Sequence, residues 1–262
     1  MLPPSVKHMI RIADLFVDWQ PDRIDFVKDF VTESDGEAVV KVSFHDSTVE
    51  CHGVQCIAGK AEKLLRTAAG DILTANADWS IADSYFLPKS NCEYALPLAA
   101  LCSGFSYFDT LLFHASFVDY KGEGIIFTGP SGVGKTTQAQ LWEKYLDAEI
   151  VNGDKVFVRN IGDSTFAYGS PWKGSSEYCL DRKSVLKAIV ILRQAQNNRV
   201  RRLDATAAES LMPHAFLPYW DEKCMENAIA AFDKLICRVP VLLLECKPDE
   251  EAVRLTFEAV FG

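Results

Sequence analysis

The chain has 262 residues, of which 48% are hydrophobic and 24% charged, and its formal net charge is −9. This length and composition are typical of globular protein with a sizeable core, arranged as one large domain or two smaller ones. The acidic balance excludes a broad basic surface for duplex nucleic acid, so we expect no nucleic-acid partner.

Cysteine usage and the N-terminus both favour a soluble cytoplasmic protein. The eight cysteines include no Cys-x-x-Cys pair and several lie in apolar runs, which is typical of buried free thiols in a reducing compartment. Residues 1–8 lack the continuous apolar core of a signal peptide. Residues 94–108 are uncharged but contain Pro97 and Gly104 and are too short to span a membrane, so we predict a core helix or bend there and no membrane association.

Residues 1–92 are predicted to form a small β-rich lobe, and residues 93–262 a nucleotide-binding domain. Alternation of apolar and polar residues predicts a strand at 38–44, and further strands are expected at 63–67, 72–75 and 84–87. This lobe contains one cluster of metal-ligand residue types, His45, Cys51, His52 and Cys56. Their spacing matches no usual zinc pattern, and neighbours on a strand point to opposite faces, so we interpret them as structural or incidental residues.

The most informative stretch fits the phosphate-binding pattern Gly-x-x-x-x-Gly-Lys-[Ser/Thr]. In such a loop, glycines let successive backbone N–H groups face an anionic phosphate chain, and the following helix adds the positive end of its dipole. The lysine then reaches the β and γ phosphates, and the hydroxyl after it suits Mg²⁺. The predicted nucleotide-binding residues are Gly129, Pro130, Ser131, Gly132, Val133, Gly134, Lys135, Thr136 and Thr137. A glycine-rich turn with an incidental lysine is the alternative.

Two predicted strands precede this loop. Residues 111–119 form the first, residues 120–124 turn the chain, and residues 124–128 run back into the loop. In doubly wound folds the phosphate loop normally follows a strand of a parallel β-α-β series, whereas here a hairpin delivers it. We therefore predict an α/β fold with α+β character and an antiparallel or mixed sheet around the site.

After the predicted helix, residues 148–154 form a short strand ending in Asp154. An acid at the end of a strand beside a phosphate loop is where Mg²⁺ requires a ligand, so Asp154 and Thr136 are the predicted metal ligands. A plain Asn-Gly-Asp turn is the alternative. The segment lacks the Asn-Lys-x-Asp guanine signature, which disfavours a Ras-like GTPase.

The C-terminal part continues with loops, strands and helices. Residues 169–176 form a hydroxyl-rich loop around Trp172, which either closes over a substrate or simply packs its tryptophan. Strands at 185–192 and 200–203 are joined through 196–198, and the second carries the basic run 199–202. A solvated strand face explains that run, with a phosphate or peptide contact as the alternative. A helix at 225–236, a buried strand at 239–246 and a helix at 249–261 complete the chain.

Residues 112–159 resemble the catalytic domain of HPr kinase/phosphorylase, within the group whose nucleotide fold is similar to that of phosphoenolpyruvate carboxykinase. The resemblance rests on the strand containing His114-Ala115-Ser116, the hairpin, the phosphate loop and the strand ending in Asp154. It is nearest to HPr-kinase-like proteins found beside peptide-modifying enzymes, in which a Gly-Ser-Pro-Trp loop is also familiar. The N-terminal domain of true HPr kinases is not recognisable in residues 1–92.

This resemblance implies a kinase that transfers the γ phosphate of ATP to a hydroxyl, often of a serine, in a peptide, protein or small metabolite. It places His114 near the phosphates and the acid, Lys135 against the developing charge, and Thr136 and Asp154 on Mg²⁺. The predicted catalytic residues are thus His114, Lys135 and Asp154. Taken alone, a histidine in an apolar strand such as His114 is more often a satisfied core residue. The oligomeric state stays open, a homo-oligomer included.

One position departs from the family pattern, in which the strand ends in two adjacent acids. Gly153 stands where the first acid would be. Two acids can divide metal binding from proton removal, so here Asp154 performs both or His114 supplies the base. A catalytically degenerate nucleotide-binding switch or assembly module is the alternative. A carboxykinase-like enzyme acting on a small acid is disfavoured because no carboxylate-binding arginine set is recognisable.

Overall fold

The computed structural model describes residues 9–20, 23–33, 36–46, 61–87, 94–204 and 206–262, which form two mixed β-sheets and six α-helices. The mixed α/β architecture predicted from the sequence is confirmed. The described residues fall into two compact units. The first comprises the described residues up to Phe108 together with Pro218–Met225, and the second comprises Asp109–Leu217 and Glu226–Gly262.

The first unit is built on a six-stranded sheet in the order β1-β2-β3-β6-β5-β4. The β2–β3 and β3–β6 pairs are parallel and the remaining pairs are antiparallel. Two helices accompany the sheet. Its elements are β1 Met9–Ile12, β2 Leu15–Trp19, α1 Ile24–Val27, β3 Val40–Asp46, β4 Lys63–Arg66, β5 Ile72–Ala75, β6 Ile81–Phe86 and α2 Ala95–Ser106.

The division between the units falls after Phe108, whereas the sequence placed it at 92/93. The difference is helix α2, which packs within the first unit. Its Gly104 approaches the sheet so closely that an added Cβ would lie 2.5 Å from a methyl of Val40 and 3.1 Å from the carbonyl oxygen of Trp79. A helix that is apolar on all sides is expected to be buried, and the sequence does predict this burial. The sequence does not predict which of the two units the helix packs in.

The second unit contains a nine-stranded sheet, with the path β11-β10-β7-β8-β12-β15-β13 and with β9 and β14 also paired to β7. A further pairing of β11 with β12 closes five of these strands into a ring. The elements are β7 Thr110–Tyr120, β8 Glu123–Thr128, α3 Lys135–Leu146, β9 Glu149–Asn152, β10 Lys155–Ile161, β11 Ser164–Tyr168, β12 Lys183–Gln194, β13 Arg199–Arg202, α4 Ala207–Leu211, β14 Ala215–Phe216, α5 Glu222–Arg238, β15 Val241–Cys246 and α6 Glu250–Phe261.

Strands β8, β12 and β15 are parallel neighbours, and alternating residues separate their two faces. On one face, Ile189 and Ile191 join a buried cluster that includes residues of α4 and α5. On the other face, Val190 and Leu192 join a cluster that includes residues of α3 and α6. Strand β15 lies between β12 and β13, so these two strands are connected through residues 195–198 without pairing directly.

Strand β7 is the long central strand, and different partners occupy successive parts of its edges. Strands β9 and β10 run consecutively antiparallel to it, with β9 opposite Phe117–Asp119 and β10 opposite Thr110–His114. The chain therefore continues along β7 past Asn152, and Asp154 lies at this edge, its carbonyl accepting from the N–H of Ala115 at 2.9 Å. Asp154 thus follows β9 while the chain continues along the same edge of β7.

None of the helices in the described part of the chain combines the length and apolar character needed to cross a bilayer. Of the metal-ligand types in the N-terminal region, His45 is described and interacts with Asp83 at 3.0 Å while stacking on Tyr85. Cys51, His52 and Cys56 lie outside the described residues.

Candidate functional site

The loop between β8 and α3 is shaped by two glycines in conformations that other residues adopt with strain. Gly129 has a φ of 146° and approaches the carbonyl oxygen of Leu192, which would lie 3.1 Å from an added Cβ. Gly134 has a φ of 109° and caps the N-terminus of α3. Between them the N–H of Val133 donates to the carbonyl of Pro130 at 3.2 Å, closing a tight turn. The loop therefore ends with the free N–H groups of α3 beside it.

Lys135 is buried at the first position of α3 and folds back over the loop. Its Nζ donates to the carbonyl oxygens of Gly129 and Pro130, each at 3.2 Å. Burial is the main cause that lowers the pKa of Lys135, with a smaller opposing effect from the charge of Asp154. A lysine held by two neutral carbonyls exchanges them readily for an anionic oxygen, because hydrogen bonds between charged groups are stronger.

His114 and Asp154 meet beside this loop. The Nε2 atom of His114 lies 3.0 Å from Oδ1 of Asp154, and the other carboxylate oxygen lies 2.6 Å from Nζ of Lys155. The register of β7 and β10 explains the arrangement, since His114 and Lys155 are direct cross-strand partners. Lys155 also lies over the ring of Phe216, 5.0 Å from its centroid.

The carboxylate of Asp154 is held ionised by these neighbours. Burial would raise its pKa, but hydrogen bonds from His114 and Lys155 and the charge of Lys155 outweigh this and lower the pKa to about 2. An ionised carboxylate is the form that binds a metal or accepts a proton. Lys155 was not predicted as a site residue from the sequence, although it directly follows Asp154.

Asn152 organises the backbone around Asp154. Its buried side chain accepts from the N–H groups of Asp154 and Lys155 at 2.9 and 3.0 Å and donates to the carbonyl of Ser170 at 2.8 Å. The hydroxyl of Ser170 in turn donates to the carbonyl of Lys155 at 2.7 Å. These bonds attach the loop 169–176 to the β9–β10 edge, and Trp172 within it is buried.

The same loop packs directly on Gly153 and Asp154. An added Cβ at Gly153 would lie 2.1 Å from the hydroxyl oxygen and 2.6 Å from the Cβ of Ser176. Gly174, with a φ of 60°, brings its backbone against the Asp154 carboxyl group. Ser176 therefore occupies the space that a side chain at position 153 would require.

These elements surround a cleft of about 350 Å³ that gathers most of the residues predicted from the sequence. Pro130 and Val133 line adjoining clefts instead, and Gly129 contributes through its carbonyl contact with Lys135. The residues lining the cleft are His114, Ser131, Gly132, Gly134, Lys135, Thr136, Thr137, Gly153, Asp154, Lys173, Ser175 and Ser176. Lys173, Ser175 and Ser176 come from the hydroxyl-rich loop that the sequence identified without assigning its side chains.

A second histidine, His214, lies next to His114. Strand β14 pairs with β7 so that Ala215 is opposite Phe113, which places His214 alongside His114 on the edge of β7 away from Lys155. Burial is the largest cause that lowers the pKa of His214, followed by the electrostatic effects of Lys135 and His114, and the neutral form is favoured. Nothing in the local sequence distinguishes it, because the proximity depends on a two-residue strand at long sequence separation.

The donor set suits Mg²⁺ carried in by a nucleotide. Within the described ranges there is no cluster of three or more His, Cys, Asp or Glu side chains that would hold a metal by itself. Magnesium usually binds through one or two carboxylates together with phosphates and water. Asp154, which is ionised and lines the same cleft as Thr136, fits that sparse pattern.

The fold is similar to that of solved structures, one of which is a bacterial kinase/phosphatase. The HPr(Ser) kinase/phosphatase from Coxiella burnetii aligns with a TM-score of 0.36 and 10% sequence identity, covering 56% of this chain and 95% of that chain. Neither family models nor curated proteins gave a match.

Proposed function

We propose that the chain is a Mg²⁺- and ATP-dependent kinase that phosphorylates a hydroxyl, of serine type, on a peptide, protein or small metabolite. The observation that carries this proposal is the convergence of Lys135, His114 and Asp154 in one cleft at the end of β8. Each supplies one requirement of phosphoryl transfer, which depends mainly on positioning and on neutralising charge. The family resemblance of residues 112–159 agrees with this proposal.

In the proposed mechanism Lys135 leaves the loop carbonyls and binds the β and γ phosphates. Asp154 and Thr136 would hold Mg²⁺, which would neutralise charge on the phosphates. His114 and Lys155 keep the Asp154 carboxylate ionised and oriented, since each contacts one of its oxygens. The acceptor hydroxyl loses its proton to Asp154 or to His114, because no second acid stands at position 153.

The decisive experiment measures transfer of labelled γ phosphate from ATP to serine-bearing acceptors. We expect Asp154→Asn to lower transfer by about 10²–10⁴-fold while nucleotide binding is retained. Asp163→Asn, at an exposed turn position, is the matched control and should keep full activity. Wild-type protein that neither labels an acceptor nor turns over ATP would contradict the proposal.

A second candidate function is a nucleotide-binding switch or assembly module without transfer chemistry. The packing of Ser176 against Gly153 favours it, because that contact removes the space for a second catalytic acid. In this case ATP raises the melting temperature, and Asp154→Asn leaves the biological output intact. Loss of function in His114→Ala with unchanged nucleotide affinity would reject the module and support the kinase.

A further inference from the structure

A second cleft, of about 590 Å³, adjoins the phosphate loop, and no residue of the loop 169–176 lines it. Pro130 and Ser131 of the phosphate loop form one end of it, and Arg201 of β13 lines it as well. Ile191 and Leu243, from β12 and β15, lie between them. The whole cleft belongs to the second unit.

Strand pairing gives the direction and the length of this cleft. Thr128 at the end of β8 pairs with Ile191, Ile191 pairs with Leu243, and Leu243 pairs with Arg201. Direct partners point to the same face of a sheet, so these residues form one row across four strands. With adjacent strands about 4.8 Å apart, the row extends ~14 Å from the phosphate loop to β13.

The end of the cleft near the phosphate loop is also the end at which transfer would occur. His214 lines the cleft and lies alongside His114, which contacts Asp154. A group bound between Ser131 and His214 is therefore close to the proposed γ-phosphate position. This proximity distinguishes the cleft from a third one beside the loop, which is lined by Gln138, Cys246 and Pro248 and contains neither histidine.

The opposite end is positively charged. Arg201 is exposed and its guanidinium has no hydrogen-bond or ion-pair partner among the described residues, whereas its neighbour Arg202 pairs with Asp204 at 3.0 Å. Arg193, also in the cleft, reaches Glu245 at 3.4 Å. Glu209 of α4 supplies a negative charge to the cleft lining. An anionic group is therefore favoured beside Arg201 and disfavoured beside Glu209.

We propose that this cleft binds the acceptor as an extended peptide segment, with an acidic side chain two or three residues from the phosphorylated hydroxyl paired to Arg201. This inference rests on the proposed kinase function and specifies its substrate class. An extended chain advances about 3.3 Å per residue, so two or three residues plus the two side chains span the ~14 Å row. A small hydroxy acid is too short to reach both ends.

ATP is the phosphoryl donor in the proposed transfer step. The acceptor hydroxyl oxygen forms a bond to the γ phosphorus, and the bond from that phosphorus to the β,γ-bridging oxygen breaks. ADP leaves with the electron pair of that bond. The hydroxyl proton passes to Asp154 or to His114, as in the proposed function.

The test uses the full-length protein, Mg²⁺-ATP and a library of peptides with a central serine and randomised flanking positions. We expect the phosphorylated products to be enriched in Asp or Glu two or three positions from the serine, on one side. Arg201→Glu should lower kcat/KM for the best acidic peptide by about tenfold or more and shift the enrichment at that position to Lys or Arg. Arg202→Glu, on the opposite face of β13, is the matched control and should keep the acidic preference.

A binding measurement separates this inference from the proposed function. Fluorescence anisotropy of the same labelled peptides, with Mg²⁺-ADP present, reports on the cleft without chemistry. Peptide binding that depends on Arg201 but is not followed by phosphorylation would support the acceptor cleft and contradict the kinase proposal. Phosphorylation or ATP turnover with no acidic preference, or with one unaffected by Arg201→Glu, would overturn the inference and leave the kinase standing. Absence of both binding and phosphorylation would overturn it as well.

Discussion

Gly153 has no side chain, and Ser176 packs in the space that a side chain at this position would occupy. Because Ser176 fills the space above it, we expect Gly153→Ala to destabilise the protein by about 1–3 kcal/mol through overpacking. The added Cβ would meet both side-chain atoms of Ser176, so a rotamer change alone cannot relieve the clash. Urea denaturation of the variant and the wild type measures this loss.

The matched background for that substitution is Ser176→Gly. There, the nearest other atom to the added methyl group at position 153 is the carbonyl oxygen of Lys173, at an ordinary contact distance of 3.8 Å, and the cost of Gly153→Ala should fall to a few tenths of a kcal/mol. A double-mutant cycle then gives a coupling free energy close to the single-variant loss. Equal losses in the two backgrounds would show that Ser176 is not the cause.

Asp154 should make the stability depend on pH in the acid range. Its pKa is about 2 in the folded protein, below the ordinary value of 3.8, so its contribution is fully present above about pH 4 and is lost as the pH falls toward 2. Asp154→Asn should therefore be less stable than the wild type at pH 6, and the difference should shrink at pH 3 and below. Urea unfolding at several pH values tests this, and a pH-independent difference would contradict it.

At the scale of elements, Asn152 connects the β9–β10 edge to the loop 169–176. Asn152→Ala removes three hydrogen bonds. The part-buried N–H of Asp154 and the carbonyl of Ser170 lose this partner, and the N–H of Lys155 keeps the carbonyl of Trp172 at 3.1 Å. We expect a loss of about 1–3 kcal/mol in the free energy of unfolding, together with slower phosphoryl transfer in the proposed reaction because Asp154 loses its backbone anchor. Asn197→Ala, at an exposed position, is the control for the substitution itself. Similar effects in the two variants would refute this role.

The elements also show which sequence predictions depended on local signals. The phosphate-loop helix, the hairpin β7–β8 and the final helix were predicted because their glycines, turn residues and apolar periods act within a few residues. The strand at 148–154 was predicted to end at Asp154, with a plain turn as the alternative, whereas the continuation of the chain along β7 depends on pairing with a distant strand. For the same reason the position of β15 between β12 and β13 could not be predicted.

At the scale of the whole molecule, Asp221 holds a distant segment in the first unit. Its buried carboxylate lies 2.6 Å from Nζ of Lys63 and accepts hydrogen bonds from Nε1 of Trp79 at 3.1 Å and from the N–H of Cys224 at 3.0 Å. Burial opposes ionisation, but these partners lower the pKa of Asp221 well below its ordinary value. The segment 218–225 therefore belongs to the first unit although it is far away in sequence.

Asp221→Ala should cost about 1–3 kcal/mol in unfolding free energy, because it leaves the buried Nε1 of Trp79 and the N–H of Cys224 without their acceptor. Asp221→Asn should cost less, since an amide still accepts from Trp79 and the partly exposed Lys63 is able to turn to water. Asp233→Ala, at an exposed helix position, is the control for loss of a carboxylate. Urea unfolding ranks the three variants, and equal stability of Asp221→Ala and Asp233→Ala would refute the anchor.

The sequence by itself determined the phosphate-loop motif, the elements on either side of it and the choice of Lys135, Thr136 and Asp154, because these follow from residue types at fixed spacings. It singled out His114 only through a family resemblance. The tertiary structure decided which groups meet: Lys155 and His214 on the two edges of β7, and Ser176 over Gly153. Those contacts arise from strand register and long-range packing, which no local pattern encodes.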